Sequence, residues 1–308
     1  MQPVVRIGAR ASRLSRTQAG HMQQRIAAAL GAPPEDAERV APLVFITTTG
    51  DRIQDRRLLE AGGKGLFTKE IEQALLDGEI DCAVHSLKDV PALQPAGLAL
   101  AALPEREDPR DAFISLAHAG LDALPHGARV GTASLRRQAQ ILLRRPDLQV
   151  SMLRGNVETR LGKLEAGVVD ATLLALAGLK RLGLQERATE ILDPVTAPPA
   201  PGQGCLAIQT REGDVGADWL APLHHRPTRL AIAAERGALE ALEGSCRTAM
   251  GAHARLIGDR LELSVEALAP DGSARWRRDG GIDLAHEADA EGAARALGLS
   301  FGLAVRDE

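Results

Sequence analysis

The chain has 308 residues, room for two or three domains at roughly 100–200 residues each. Hydrophobic residues at 44% and charged residues at 25% exclude long-range disorder, while a net charge of -4 with 2% aromatics argues against a basic nucleic-acid binder that stacks bases on aromatic platforms. No apolar run approaches the roughly 18 residues of a membrane span, and Met1 to Ser12 carry Arg6 and Arg10 without the apolar core of a secretory signal.

The first two hundred residues alternate strand-like and helix-like segments. Val4 to Ile7 reads as a short buried strand. Thr17 to Leu30 places Ala19, Met22, Ile26 and Leu30 at helical spacing, and Gly31 with Pro33-Pro34 stops it. Leu43 to Thr47 is a strand; Lys69 to Leu76 is a helix with Thr68 as N-cap and Gly78 beyond its end. Ile80 to Val84 and Leu98 to Ala102 are strands, and the alternation predicts an α/β layer with a largely parallel sheet. The pattern restarts near Pro109. Ala112 to Ser115 and Arg129 to Gly131 are strands, and a helix follows Thr132-Ala133-Ser134 as far as Arg144. Leu148 to Leu153 is a strand, Asn156 opens a helix to Glu165, and strand Val169 to Leu174 leads into a helix ending near Leu182. The Pro- and Gly-rich stretch Asp193 to Gly204 reads as a crossover or hinge, and Cys205 to Gln209 as a strand returning to the first sheet. From Pro222 the grammar changes. A helix spans Thr228 to Leu242, and Ala252 to Ile257 pairs with Leu261 to Val265 around Gly258-Asp259. Ala274 to Arg277 makes a third strand and Asp289 to Leu303 a closing helix, together a small α+β domain.

Between Arg129 and Arg181 ten basic residues stand against four acidic ones, a local excess of positive charge inside an acidic chain. The bland reading is a solvated basic face. Position favours more, because Thr132, Ser134, Arg136 and Arg137 open a helix directly after a strand, and Arg154, Gly155 and Asn156 repeat the arrangement. Such turns lie at the carboxyl edge of a parallel sheet, where helix N-termini and guanidinium forks receive anions. Arg10 and Ser12 make a third turn of this kind, so the expected ligand carries several anionic groups. Gly62-Gly63-Lys64-Gly65-Leu66-Phe67 lacks the spacing of a phosphate loop and is either a plain glycine-rich surface loop or a mobile lid over an anion. His85-Ser86-Leu87-Lys88-Asp89 ends a strand at the same edge, as a site or as an ordinary turn before Pro91. The three cysteines, Cys82, Cys205 and Cys246, are odd in number and widely spaced, which argues against disulfides or metal pairing and for a reducing, cytoplasmic setting. Cys82 lies in an apolar strand. Cys246 sits beside Arg247, which favours the thiolate, although a lone cysteine is more often inert.

The stretches GGKGLFTKE (62–70), HSLKDVP (85–91), EREDPRDAF (105–113), GTASLRRQ (131–138), RGNVETRLGKL (154–164), LALAGLKRLGL (174–184), PGQG (201–204) and AERGALEALEGSC (234–246) run in order through nearly the whole chain. On them the chain resembles the porphobilinogen deaminase, or hydroxymethylbilane synthase, family. The resemblance implies an α/β protein with two lobes like those of type II periplasmic binding proteins and a small C-terminal α+β domain. The implied boundaries are 1–103 with 204–221, 104–203 and 222–308. The implied reaction joins four porphobilinogen units head to tail into hydroxymethylbilane with loss of ammonia, in tetrapyrrole and haem biosynthesis. The implied cofactor is dipyrromethane, held by a thioether to Cys246. By resemblance Asp89, Lys88, Lys64 and Phe67 are catalytic. Ser86, Lys88, Asp89, Thr132, Ser134, Arg136, Arg137, Arg154, Gly155, Asn156 and Gln203 hold the cofactor. Arg10, Ser12, Gln18, Arg154, Arg160 and Arg181 take the substrate's carboxylates. No metal, nucleic acid or membrane is implied, and the expected state is a cytoplasmic monomer. The chain departs from the family pattern at Thr49, Glu60, Cys205 and the residues after Cys246. The rival readings are a non-catalytic two-lobed anion receptor, which needs neither Cys246 nor a third domain, and an RNA-binding module, which net charge disfavours.

Overall fold

The computed structural model describes residues 4–52, 65–242 and 249–307. The chain divides into two compact units, Met1–Glu107 with Cys205–Thr228, and Asp108–Gly204 with Arg229–Glu308.

The first unit holds β1 (Ile7–Arg10), α1 (Arg13–Ala29), α2 (Ala37–Val40), β2 (Leu43–Ile46), α3 (Thr49–Arg52), α4 (Lys69–Leu76), β3 (Cys82–Ser86), β4 (Leu98–Ala102) and β10 (Leu206–Arg211). Its sheet runs β2-β1-β3-β10-β4. β2, β1 and β3 are parallel, whereas β10 is antiparallel to both neighbours. The sheet is therefore mixed rather than largely parallel. The cause is local: Leu87 N–H donates to Cys205 O at 3.0 Å, so the returning chain begins pairing at the edge where β3 ends and must run back along it. α1 starts at Arg13, ahead of the apolar periodicity, because the Ser12 hydroxyl accepts from Ser15 N–H at 3.3 Å and caps a first turn in which Leu14 is the one apolar residue. Thr68 stands at the N-cap of α4, but its hydroxyl makes no capping bond; Gly65 O instead accepts from Thr68 N–H and Lys69 N–H. Ile7, Met22, Ile26, Val84 and Ile208 form the main core of this lobe.

The second unit opens with another five-stranded sheet, built from β5 (Asp111–Ser115), β6 (Arg129–Gly131), β7 (Gln149–Ser151), β8 (Ala171–Ala175) and β9 (Glu190–Ile191) in the order β7-β6-β8-β5-β9. β6 is parallel to β7 and β8, and β5 is antiparallel to β8. α5 (Leu135–Arg144), α6 (Val157–Glu165) and α7 (Leu176–Arg181) follow β6, β7 and β8. Apolar clusters on both sides of this sheet, around Phe113 with Leu173 and around Ile114 with Leu153, bury it twice.

The C-terminal domain consists of α8 (Arg226–Leu242), a three-stranded antiparallel sheet of β11 (Ala249–Ile257), β12 (Arg260–Leu268) and β13 (Arg275–Asp283), and α9 (Ala290–Arg306). The β11–β12 turn has Gly258 at φ +59°, as the Gly-Asp signal implies, but all three strands are longer than the sequence pattern suggests. Leu135 and Ala139 of α5 pack on Ala249 and Leu268, which docks this domain on the second lobe. Helices α8 and α9 cross on glycine: a Cβ at Gly298 would come within 1.9 Å of Ala234 O, and one at Gly302 within 2.8 Å of Ala238 O. A rigid backbone atom cannot yield as a side chain can. Gly298→Val should therefore destabilise the protein by about 2–3 kcal/mol through overpacking, read as a lower midpoint in urea unfolding.

Candidate active site

The site in the first lobe follows from strand register. β1 pairs in parallel with β2 and β3, so the turns after all three strands emerge at one edge. They are Arg10–Ser12, Thr48–Asp51 and the single 3-10 turn Leu87–Asp89 that Val90 N–H closes on Leu87 O. Together with Phe67 they line a cleft that includes Arg10, Ser12, Gln18, Ser86, Lys88 and Asp89. Six of the residues expected from the sequence thus meet Phe67 around one space.

Each is held differently. The Gln18 carboxamide bonds the Ser86 hydroxyl with both of its termini, at 3.0 and 3.1 Å. Arg10 lays its guanidinium over the Phe67 ring, 4.0 Å from the centroid. Its Nε donates to Asp51 Oδ1 and Oδ2 at 3.2 and 3.4 Å, and its Nη2 bonds Asp51 Oδ1. Its remaining Nη1 stands 4.0 Å from Asp89 Oδ2, beyond hydrogen-bond reach. Asp51, which is not among the site residues that the sequence implies, is braced by Thr48 N–H at 3.2 Å and Thr48 O–H at 2.8 Å. Although burial raises its pKa, bonds from Arg10 and Thr48 outweigh it and hold this carboxyl below its usual range. Asp89 keeps a side chain about one-third exposed.

Behind the cleft, burial lowers the pKa of His85 to about 4, so its ring is neutral at pH 7. Gln209 donates its amide to Gln94 Oε1 at 2.9 Å and offers Oε1 to His85 Nε2 at 3.0 Å, which assigns the imidazole proton to Nε2. The Thr49 departure also finds an account. Its N–H and O–H both donate to Glu70 Oε1, at 2.8 and 2.5 Å, tying the Thr48–Asp51 turn to α4. Gly50 is required there, since a Cβ would meet the Phe67 ring at 2.4 Å. Lys64 with Gly62-Gly63, Glu60, and Cys246 with its neighbours 243–248 lie outside the described residues.

In the second lobe the edge logic repeats, and its centre is another carboxylate not singled out from sequence. Asp111 begins β5, whose antiparallel course places it at the carboxyl ends of its parallel neighbours, opposite Ala175. It is fully buried between Arg136 at 2.8 Å and Arg137 at 2.7 Å, and it accepts from Gln203 Nε2 at 2.8 Å. Desolvation raises its pKa, but the two guanidinium groups prevail and hold it far below the ordinary carboxylate range. Arg136, Arg137 and Gln203 are thus engaged with the protein itself, Arg137 also with Leu173 O at 3.0 Å and Gln203 with Pro109 O at 2.7 Å. Thr132 and Ser134 stand at the entrance to α5, where the Ser134 hydroxyl accepts from Arg137 N–H. Arg154, Gly155 and Asn156 form the adjacent turn, with Gly155 at φ +120° and Asn156 capping α6 through Thr159 N–H at 2.8 Å. Arg160 folds back to Gly155 O at 2.9 Å, and Arg181 reaches Gly204 O at 2.7 Å. Arg129, Arg144 and Arg145 belong to the bland class, paired with Asp170, Asp122 and Asp147.

The donor set suits a polycarboxylate. Besides these cations, Arg136 Nε is a buried N–H with no hydrogen-bond partner among the described residues. Two family models match: "Porphobilinogen deaminase, dipyromethane cofactor binding domain" over residues 5–218 and "Porphobilinogen deaminase, C-terminal domain" over 229–304. The chain belongs to the porphobilinogen deaminase family. It is 66% identical to the porphobilinogen deaminase of Phenylobacterium zucineum, covering 100% of this chain and 97% of that one. It is 63% identical to that of Caulobacter vibrioides, over 99% and 96%. Among solved structures, the methionine-binding protein MetQ matches with a TM-score of 0.44 at 14% identity, over 71% of this chain and 87% of that one.

For this deaminase the buried triad has a measurable weight. Asp111→Asn leaves two buried guanidinium groups short of their counter-charge and should cost about 3–5 kcal/mol in urea unfolding at pH 7. Because the folded Asp111 pKa is depressed, its stabilisation is complete above the unfolded value near 3.8 and falls only as pH drops below it. The variant should therefore lose part of the acid-side slope of stability against pH.

Proposed function

We propose that Asp89, in the turn that follows β3, is the catalytic carboxylate of this chain and that Cys246 anchors its cofactor. The reaction is the family's: four porphobilinogen molecules are joined head to tail into hydroxymethylbilane with release of ammonia, in tetrapyrrole biosynthesis. Bound dipyrromethane supplies the pyrrole α-carbon to which the first unit is added.

The observation that carries the reading is the position of Asp89: a partly exposed carboxylate in the cleft, in a long 4.0 Å ion pair with Arg10 but not hydrogen-bonded to it. A carboxylate so placed can accept pyrrole N–H groups and stabilise the cation that develops on the ring as ammonia leaves the aminomethyl carbon. Lys88 and Arg10 beside it suit the acetate and propionate of the incoming unit, with Ser12, Gln18 and Ser86 as neutral partners and Phe67 as the apolar wall. Lys64 is assigned to the same site on its resemblance to the family pattern. In the second lobe Thr132, Ser134, Arg136, Arg137, Arg154, Gly155, Asn156 and Gln203 are assigned to the cofactor's carboxylates. Arg160 and Arg181 are assigned to those of the substrate.

The assignment of Cys246 rests on the family resemblance, and the other two cysteines offer no competing anchor. Cys82 and Cys205 are buried in or beside the first sheet, and burial pushes the Cys82 thiol well above its ordinary value, away from the nucleophilic thiolate. None of the helices among the described residues is long and apolar enough to cross a membrane; the working state we assign is a cytoplasmic monomer.

Intact mass spectrometry with turnover assays tests both assignments. The active protein should carry the mass of two pyrrole units, retained in Cys205→Ala and lost in Cys246→Ser. Asp89→Asn should keep that mass while turnover falls ~10²-fold or more. An unmodified active protein, or near-normal turnover without the Asp89 carboxylate, would contradict the reading.

A further inference from the structure

We infer that Asp51 is a positioning residue for the reaction: it holds the Arg10 guanidinium on itself and so leaves the Asp89 carboxylate open to ligand. The inference rests on the proposed role of Asp89 and adds a requirement to it. Arg10 lies between two carboxylates: it is hydrogen-bonded to Asp51 and only in a long ion pair with Asp89. Asp51 takes the Nε and Nη2 edge, while Nη1 remains 4.0 Å from Asp89 Oδ2. Guanidinium groups form their strongest contacts through two parallel N–H donors to one carboxylate. Released from Asp51, Arg10 would need only a short swing to make that contact with Asp89, covering the oxygens that must accept pyrrole N–H.

Asp51 suits the task because it is itself immobilised. Thr48 N–H and O–H both donate to its Oδ2, leaving Oδ1 to receive Arg10 Nη2. The same turn is tied to α4 through Thr49 and Glu70, and Gly50 packs against Phe67. Arg10 stacks on that ring, so the turn governs both the ion-pairing edge of Arg10 and the surface beneath it. An exposed ion pair would contribute little, but this one is partly buried, with Arg10 and Asp51 side chains each 23% exposed. Its consequence is geometric: it selects which of two nearby carboxylates takes the arginine's hydrogen bonds.

Asp51→Asn is nearly isosteric. With its oxygen turned to the Thr48 donors, its amide N–H₂ faces Arg10, which repels the guanidinium instead of holding it. The test is a double-substitution cycle on kcat/KM for porphobilinogen in the cofactor-loaded enzyme. Asp51→Asn should lower kcat/KM at least tenfold alone, but less than twofold when added to Arg10→Gln, because no guanidinium is then left to capture Asp89. Equal factors in the two backgrounds would overturn the inference and reduce Asp51 to a structural brace. Asp89→Asn, measured alongside, keeps the two hypotheses apart. Near-normal turnover there defeats the role given to Asp89. Collapse there, with multiplicative factors in the cycle, defeats only the role given to Asp51.

Discussion

A guanidinium at the edge of a buried sheet has to be paired before it can be placed, and this fold meets that requirement with aspartates. In the first lobe Asp51 takes Arg10; in the second, Asp111 takes Arg136 and Arg137 together. The two solutions differ in depth. Asp111 has no exposure and carries two cations, so the cluster keeps a net positive charge where water cannot offset it. Asp51 and Arg10 are half-sheltered and neutral as a pair, and the carboxylate left with spare capacity is Asp89. An anion-binding cluster and a carboxylate open to N–H donors are what a chain of carboxylated pyrroles requires.

The supporting architecture follows from that need. Parallel strands deliver their following turns to one edge, which is why Arg10, Thr48–Asp51 and Asp89 meet although they are far apart in sequence. The antiparallel members complete the arrangement. β5 enters at the carboxyl edge of its neighbours and so starts with Asp111 among the arginines. Pro198 to Gly204 binds the C-terminal domain closely: Ala252 N–H donates to Pro199 O, and the buried Glu235 carboxylate accepts from both Gly202 N–H and Ala254 N–H. The helix that precedes Cys246 is therefore anchored to the same linker that supplies Gln203.

Much of this was legible in the sequence because the signals are local. Asn156 and Ser134 cap the helices they were expected to open, and Gly258-Asp259 turns the hairpin. Strand ends followed by polar turns point to Arg10, Ser86, Lys88 and Asp89, and these four line one cleft. What was not legible depends on pairing across the sheet. Asp111 lies within a stretch that carries the family resemblance and Asp51 outside all of them, but in neither case do an aspartate's sequence neighbours say which distant arginine it will neutralise. The direction of β10 was hidden for the same reason, since an apolar run looks alike in either orientation. The sequence pattern assigns Arg136, Arg137 and Gln203 to the ligand; their contacts with Asp111 show that much of their capacity serves the protein.

The central claim is that Arg10 stays on Asp51 so that Asp89 can take pyrrole nitrogen. A high-resolution crystal structure of the cofactor-loaded enzyme tests it most directly. The account predicts both pyrrole nitrogens within about 2.7–3.2 Å of the Asp89 carboxylate, with Arg10 still bonded to Asp51. Arg10 found in a two-pronged pair with Asp89, or pyrrole nitrogens bonded elsewhere, would contradict it.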